Sequence, residues 1–303
     1  MAKIVTITNP LTGQPAQVDQ LDHTAQQIDD GLNIARGVSN PNLLDNWYFG
    51  NPVNQRGQTS YTGAGYGIDR WTYHADANVL IKDGYIELST SIANEIYFMQ
   101  KFEKSLPIGA IFTFSVLEEN GTLTAITQKI GDATVNGVLS SGTGFNLDAT
   151  RAAIIVKNTT ASEIKAVKLE LGSTQTLAHQ ENGVWVLNEI PDYGEQLARC
   201  QRYLYVAKGV YRCVNCDANN GCFFPINLPV KMRATPSLIM PSSFVVLTGV
   251  TNSIISTFVN YQYSVGLSDS SVQINLKDPS NNKYSLDYSI YCVDNPIYIS
   301  AEL

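Results

Sequence analysis

Charge is scarce in this chain: Asp, Glu, Lys and Arg make up 16% of its 303 residues, against the roughly 25% usual for soluble domains. The balance is acidic, with a net charge of −7. No cluster of Lys and Arg offers the basic stripe that a phosphate backbone needs, so nucleic acid is excluded as an expected partner. Long apolar runs are missing too. None is long enough to span a bilayer, and the opening MAKIVTITNP lacks the apolar segment of a secretion signal. Membrane insertion is not expected; synthesis in a cytosol is, with any action outside the cell following lysis or incorporation into a larger particle. Histidine is rare, three residues at His23, His74 and His179. None neighbours a candidate nucleophile in a recognisable motif, which argues against a Ser-His-Asp triad. The five cysteines, Cys200, Cys213, Cys216, Cys222 and Cys292, are odd in number. They do not form a disulfide framework of the small-secreted type.

What the chain has instead is Asn, Ser, Thr, Gly and Tyr, the makings of a surface that is polar without being charged. Such a surface suits ligands that offer hydroxyls. The length allows two or three domains. The most regular stretch lies near the start, where Val18, Leu21, Ala25, Ile28, Leu32 and Ala35 are spaced 3, 4, 3, 4, 3. Apolar residues every 3.5 positions put a narrow stripe on one side of a helix, and such a stripe is best buried against copies of itself. Pro15 suits a first helical position, Asp19 and Asp22 favour its positive end, and Arg36-Gly37 suits the stop. The spacing predicts a helix from Pro15 to Arg36 and an oligomer, with Ile28 at a d position favouring more than two strands. An ordinary amphipathic helix lying on a globular domain is the other reading.

From Leu43 onward the signals are those of strands. Val79, Ile81 and Leu88 lie near Asp83-Gly84, Ile111 to Val116 precedes Glu119-Asn120-Gly121, and Ala152 to Val156 precedes Asn158-Thr159-Thr160. Alternation broken by turn residues about every ten positions predicts an antiparallel sandwich or jelly roll. In Ala166 to Leu171, Val167, Leu169 and Leu171 face one way and Lys168 and Glu170 the other, which predicts one buried and one wet face. Residues 172–199 read as a connector with a short Val184-Trp185-Val186 strand and a helical turn capped by Asp192. Beyond Cys200 the chain is β again.

Three groups of residues carry a family resemblance. Asn42-Leu43-Leu44-Asp45-Asn46-Trp47, with Pro52-Val53-Asn54-Gln55-Arg56-Gly57 and Ile68-Asp69-Arg70-Trp71, resembles the opening of carbohydrate-binding-module-like jelly rolls in bacteriophage and prophage tail proteins. Cys200-Gln201-Arg202-Tyr203, followed by Leu228-Pro229-Val230-Lys231-Met232-Arg233-Ala234-Thr235-Pro236, resembles the C-terminal head of phage tail fibres and receptor-binding proteins. Leu169-Glu170-Leu171-Gly172 resembles the link that precedes such heads. With the heptad helix and the strand signals, the resemblance implies a mainly β homotrimer: an N-terminal arm and coiled-coil helix over 1–40, then two antiparallel, jelly-roll-like β-sandwich domains at 41–172 and 200–303, joined by a connector at 173–199. It implies attachment to a host-surface glycan or envelope component, docking of the N-terminus on a tail or baseplate protein, and residence in a virion tail or phage-tail-like particle. No cofactor and no enzymatic reaction are implied. A structural baseplate or fibre adaptor and a glycan depolymerase are the alternatives.

Aromatic rings hold sugars by stacking on their C–H faces while Asn, Asp and Gln take the hydroxyls. Two groups of residues qualify. In the first β region Tyr66 sits in the flexible turn Gly63-Ala64-Gly65-Tyr66-Gly67, whereas Trp47 and Trp71 read as core. In the second, Asn252, Tyr261, Tyr263, Asp269, Asn281, Asn282 and Tyr284 lie on or near hairpin-like turns, and the receptor contact is expected there. Cys213-x-x-Cys216-x5-Cys222 is a candidate zinc cluster that lacks a nearby fourth ligand; unpaired thiols are the commoner outcome. Glu118-Glu119 reads as a solvated turn.

Overall fold

The computed structural model describes residues 39–302 apart from 74–75, 93–94, 157–160, 218–220, 249–253, 260, 278–287 and 292–295. The heptad residues Val18, Leu21, Ala25, Ile28, Leu32 and Ala35 lie outside the described residues, as do Asn252, Asn281, Asn282, Tyr284 and Cys292. From Pro41 onward the chain forms one compact unit. It is mainly β, built from several antiparallel sheets.

The first twelve strands are β1 (Ser60–Thr62), β2 (Gly65–Tyr66), β3 (Thr72–Tyr73), β4 (Ala77–Ile81), β5 (Ile86–Thr90), β6 (Ile96–Lys101), β7 (Ile111–Glu118), β8 (Leu123–Lys129), β9 (Asn136–Val138), β10 (Gly144–Leu147), β11 (Arg151–Val156) and β12 (Ser162–Leu171). They form two six-stranded sheets, ordered β1-β4-β5-β12-β7-β8 and β2-β3-β6-β11-β10-β9. Period-two alternation aims Val79, Ile86, Leu88, Ile96 and Phe98 into one core with Trp47, Phe49, Trp71, Phe114 and Phe145. Trp71 and Phe98 stack at 4.8 Å, and Phe49 meets both rings edge-on. The segment leading in is tied along β12: Leu43 N donates to Leu169 O, Val167 N to Trp47 O and Phe49 N to Lys165 O.

The expectation of one wet face on β12 is overturned. Lys168 and Glu170 are fully buried, while Leu171, assigned to the core side, is 61% exposed. The chain after β12 folds back over that outer face and satisfies it with polar groups. Thr176 donates its N–H and hydroxyl to Glu170, Lys168 Nζ donates to Thr176 O at 3.3 Å, and Glu189 pairs with the same ammonium at 3.4 Å. Glu118 is likewise no solvated turn residue: it is buried and accepts from Ser140 N and Oγ.

A hairpin of β13 (Ala178–Glu181) and β14 (Val184–Leu187) leads to helix α1 (Tyr193–Gln201), capped by Asp192, whose carboxylate accepts Glu195 N at 2.8 Å. The second β region contains β15 (Leu204–Ala207), β16 (Val210–Arg212), β17 (Asn215–Asp217), β18 (Gly221–Asn227), β19 (Ser237–Ile239), β20 (Ser243–Thr248), β21 (Ile254–Val259), β22 (Gln262–Leu267), β23 (Ser271–Lys277), β24 (Tyr288–Tyr291) and β25 (Ile297–Ser300). These form sheets β15-β25-β19, β16-β24-β20-β21 and β17-β18-β23-β22. They enclose a separate core around Phe224, Phe244, Ile274, Ile290 and Ile299.

Candidate functional site

Asp45, Asn46, Asp69 and Arg70 of the first β region meet Arg199, Arg202 and Tyr203, which lead into the second, at one joint. Its centre is Asn46, held in the left-handed backbone region at φ 53°. A non-glycine residue there is strained by about 1–3 kcal/mol and persists only where its surroundings fix it. Here the fixing is complete on every side. Asn46 Nδ2 donates to Val53 O and Asp69 O, Oδ1 accepts Val53 N, its carbonyl accepts Trp71 Nε1, and its N–H donates to Gln196 Oε1 of α1 at 2.7 Å. Beside it, Gln100 exchanges two hydrogen bonds with the Asp45 backbone.

Asp45 sits between two arginines, one from each side of the joint. Arg70 Nε lies 3.0 Å from Oδ2, and Arg199 Nε lies 2.8 Å from Oδ1. Arg70, itself at φ 73°, also donates to Lys101 O and lays its guanidinium 3.4 Å over the ring of Tyr203. The Tyr203 hydroxyl donates to Glu103 at 2.6 Å, and Arg202 faces the same carboxylate at 3.3 Å. Burial raises the Tyr203 phenol above its ordinary value, opposed by the Arg70 charge. A second tie lies at Arg56, which meets Asp69 at 3.7 Å and Glu302 at 2.7 Å. Gln55 fastens the same place, donating through N and Nε2 to Asp69 and through Nε2 to Leu204 O. Burial pushes the Asp69 carboxyl up to about 6 against the hydrogen bonds of Gln55 and the charge of Arg56. Burial also raises Glu302.

The joint opens on one side into a cleft of about 300 Å³. Leu43, Phe102, Leu106 and Tyr203 give it apolar surface, and Lys104, Arg199 and Arg202 give it positive charge. Arg199 lies in the last turn of α1 and Arg202 at its C-cap, where cations oppose the negative end of the helix dipole. A second depression of about 580 Å³ adjoins it, lined by Met99, Lys101, Phe102, Asp148, Thr150 and Arg151.

The residues singled out for ligand contact lie elsewhere. Tyr66 is on β2, its ring 5.8 Å from the Arg56 guanidinium. Tyr261 and Tyr263 are brought together at 6.1 Å, with the Tyr261 hydroxyl donating to Pro241 O and Tyr263 exposed on β22. Asp269 pairs with Lys231 at 3.0 Å. None of these four lines the cleft. Cys213 and Cys222 are buried, and β17 and β18 set Cys216 opposite Cys222 in register. Among the described residues no three His, Cys, Asp or Glu side chains are grouped to hold a metal ion. His179, on the β13–β14 hairpin, is raised in pKa by the hydrogen bonds its ring makes to the Glu181 carboxylate and the Asn188 side-chain oxygen. The cleft escaped detection in the sequence because its cations are spread from residue 70 to residue 202; the clue present was the run of Arg199 and Arg202 three positions apart, which a helix places on one face.

No family profile and no curated protein matches the chain. Among solved structures, a Lactobacillus farciminis oxalate decarboxylase in complex with formate aligns over 78% of this chain and 87% of its own, at 8% identity and a TM-score of 0.11. A likeness that slight carries neither fold nor function across.

Proposed function

We propose that this chain is a tail-fibre or receptor-binding protein that attaches a bacteriophage or phage-tail-like particle to a glycan or envelope component of a bacterial host. The observation that carries the reading is the joint. Two sets of residues that separately resemble tail-protein signatures, Asn42–Trp47 with Ile68–Trp71 and Cys200–Tyr203, interlock through Asp45, Arg70 and Tyr203. Residues that hold two β regions in a fixed relation are what such signatures would consist of. The low charge density and the abundance of Asn, Ser, Thr and Tyr favour a hydroxyl-bearing ligand.

The proposed assembly is a homotrimer registered by a coiled coil over Val18, Leu21, Ala25, Ile28, Leu32 and Ala35, with the N-terminal arm docked on a tail or baseplate protein. Weak single-site contacts would then gain from three copies on one axis. Such a particle is assembled in the bacterial cytoplasm and its fibres act at the host surface.

Light scattering on the full chain tests the assembly. A mass near three times the 33.2 kDa protomer supports it, and Ile28→Asp with Leu32→Asp is expected to loosen the N-terminal ends to protease. A monomeric full chain would sink the fibre reading. Binding of fluorescently labelled protein to a panel of bacterial cells tests adhesion; a trimer that binds none of them but retains a tail protein would favour the adaptor role.

A further inference from the structure

We infer that the cleft at the joint and the depression beside it form one track for an acidic glycan, with Phe102 between two successive sugar positions. The inference rests on the adhesion reading and moves the ligand contact from the second β region to the end of the first. Phe102 lines both hollows. Its wall is held by the backbone: Phe102 N donates to Thr150 O at 2.9 Å and Leu106 N to Ala149 O at 2.7 Å. The surface is therefore already formed before a ligand arrives, and the smaller hollow, at about 300 Å³, is of the size of a small-molecule site.

Charge selects the class of ligand. The chain as a whole has 27 acidic against 20 basic residues. Around Phe102 the sign inverts, with Arg70, Lys101, Lys104, Arg151, Arg199 and Arg202 facing only Asp45, Glu103 and Asp148. Those three carboxylates are already engaged. Asp45 is held by Arg70 and Arg199, and Glu103 by Arg202 and the Tyr203 hydroxyl. Asp148 accepts from Thr150 and pairs with Arg151 at 3.2 Å. Lys101 and Lys104 flank Phe102, are exposed, and have no ion-pair partner among the described residues. Asp45 meets Arg199 through Nε, which leaves the Nη groups of a side chain 37% exposed. A half-buried aromatic ring with an ammonium on each side matches a sugar whose C–H face stacks while its anionic group is paired. The shared chemistry is a hydroxylated anion, supplied either by uronic acid residues or by a polyol phosphate.

Calorimetric titration of the full chain tests this, with a galacturonate tetramer, its neutral methyl ester, and a short poly(glycerol phosphate) as probes. At least one anionic probe is expected to bind about tenfold more tightly than the ester and to weaken as salt rises. Which of the two binds identifies the source of the anion. Lys101→Glu with Lys104→Glu should abolish that preference, and Lys129→Glu, on β8 away from both hollows, should leave it intact. If the double reversal alters the melting temperature, Lys101→Gln and Lys104→Gln serve instead, each with a loss of about threefold. Equal binding of acid and ester, binding of neither anion, or unchanged affinity in the lysine variants would overturn the assignment. A lysine variant that still adheres to cells undiminished keeps the adhesion reading and rejects the track. A chain that binds the acidic probe at the lysines but no bacterial surface does the reverse.

Discussion

Asp69 makes the stability of this fold depend on pH in a direction opposite to that of most carboxylates. Its side chain is 1% exposed, and burial raises its carboxyl from 3.8 to about 6. The folded state therefore holds a proton that the unfolded chain has released. The stabilisation is fully present below pH 3.8 and is lost as pH rises through about 6. A rise from 3.8 to about 6 amounts to about 3 kcal/mol over the whole range, of which about 2 kcal/mol falls between about pH 4.5 and pH 8. Replacing Asp69 by Asn removes the titration. It also sets an N–H against one of the two donors of Gln55, which lowers stability by about 1–2 kcal/mol at every pH. The informative quantity is thus the gap between wild type and Asp69→Asn, followed by urea unfolding with tryptophan fluorescence as the reporter, Trp47 and Trp71 both lying in the first core. The gap should close by about 2 kcal/mol, or about 1 M in urea midpoint, on going from about pH 4.5 to pH 8. Glu302 also has a raised pKa but is present in both proteins, so its contribution largely cancels. Parallel curves for the two proteins across that range would refute the reasoning.

Two further substitutions test the packing. Trp71→Ala removes a buried ring stacked on Phe98 and its hydrogen bond to Asn46 O, and should lower unfolding free energy by about 3–5 kcal/mol, read as a fall in the urea midpoint. Gly221→Ala should destabilise by about 3 kcal/mol, seen as a lower melting temperature. At φ +105° a side chain is strained there, and its Cβ would come 1.8 Å from Leu276 O of the neighbouring strand, which cannot yield without breaking the β18–β23 pairing.

Where one face of a strand is buried and the other is not, the sequence was legible. β5, read from Leu88, alternates as its residues do, and Trp47 and Trp71, read as core, are buried. Alternation misled at β12, because Lys168 and Glu170 read as wet until the chain that follows is seen to cover them. Glu118 misled for the same reason. The joint was beyond reading: Asn46 and Gln196 are 150 positions apart, and nothing in either neighbourhood says that an amide will meet a backbone N–H across that distance. The charge inversion around Phe102 was hidden likewise, since a chain scanned locally shows only single lysines and arginines.

The two β regions are fastened twice, and the fastenings come from opposite ends of the second region. The chain enters it behind Arg202 and Tyr203, bound to Glu103, and leaves it at Glu302, clamped to Arg56. One attachment would permit a swivel; two, carried by the paired strands β15 and β25, do not. The second region could therefore be exchanged for another only as a cassette that brings its own Tyr203 and Glu302 to the same sockets. A foreign second region joined at the connector but lacking a carboxylate in the place of Glu302 would leave Arg56 and Asp69 facing each other without their third charge.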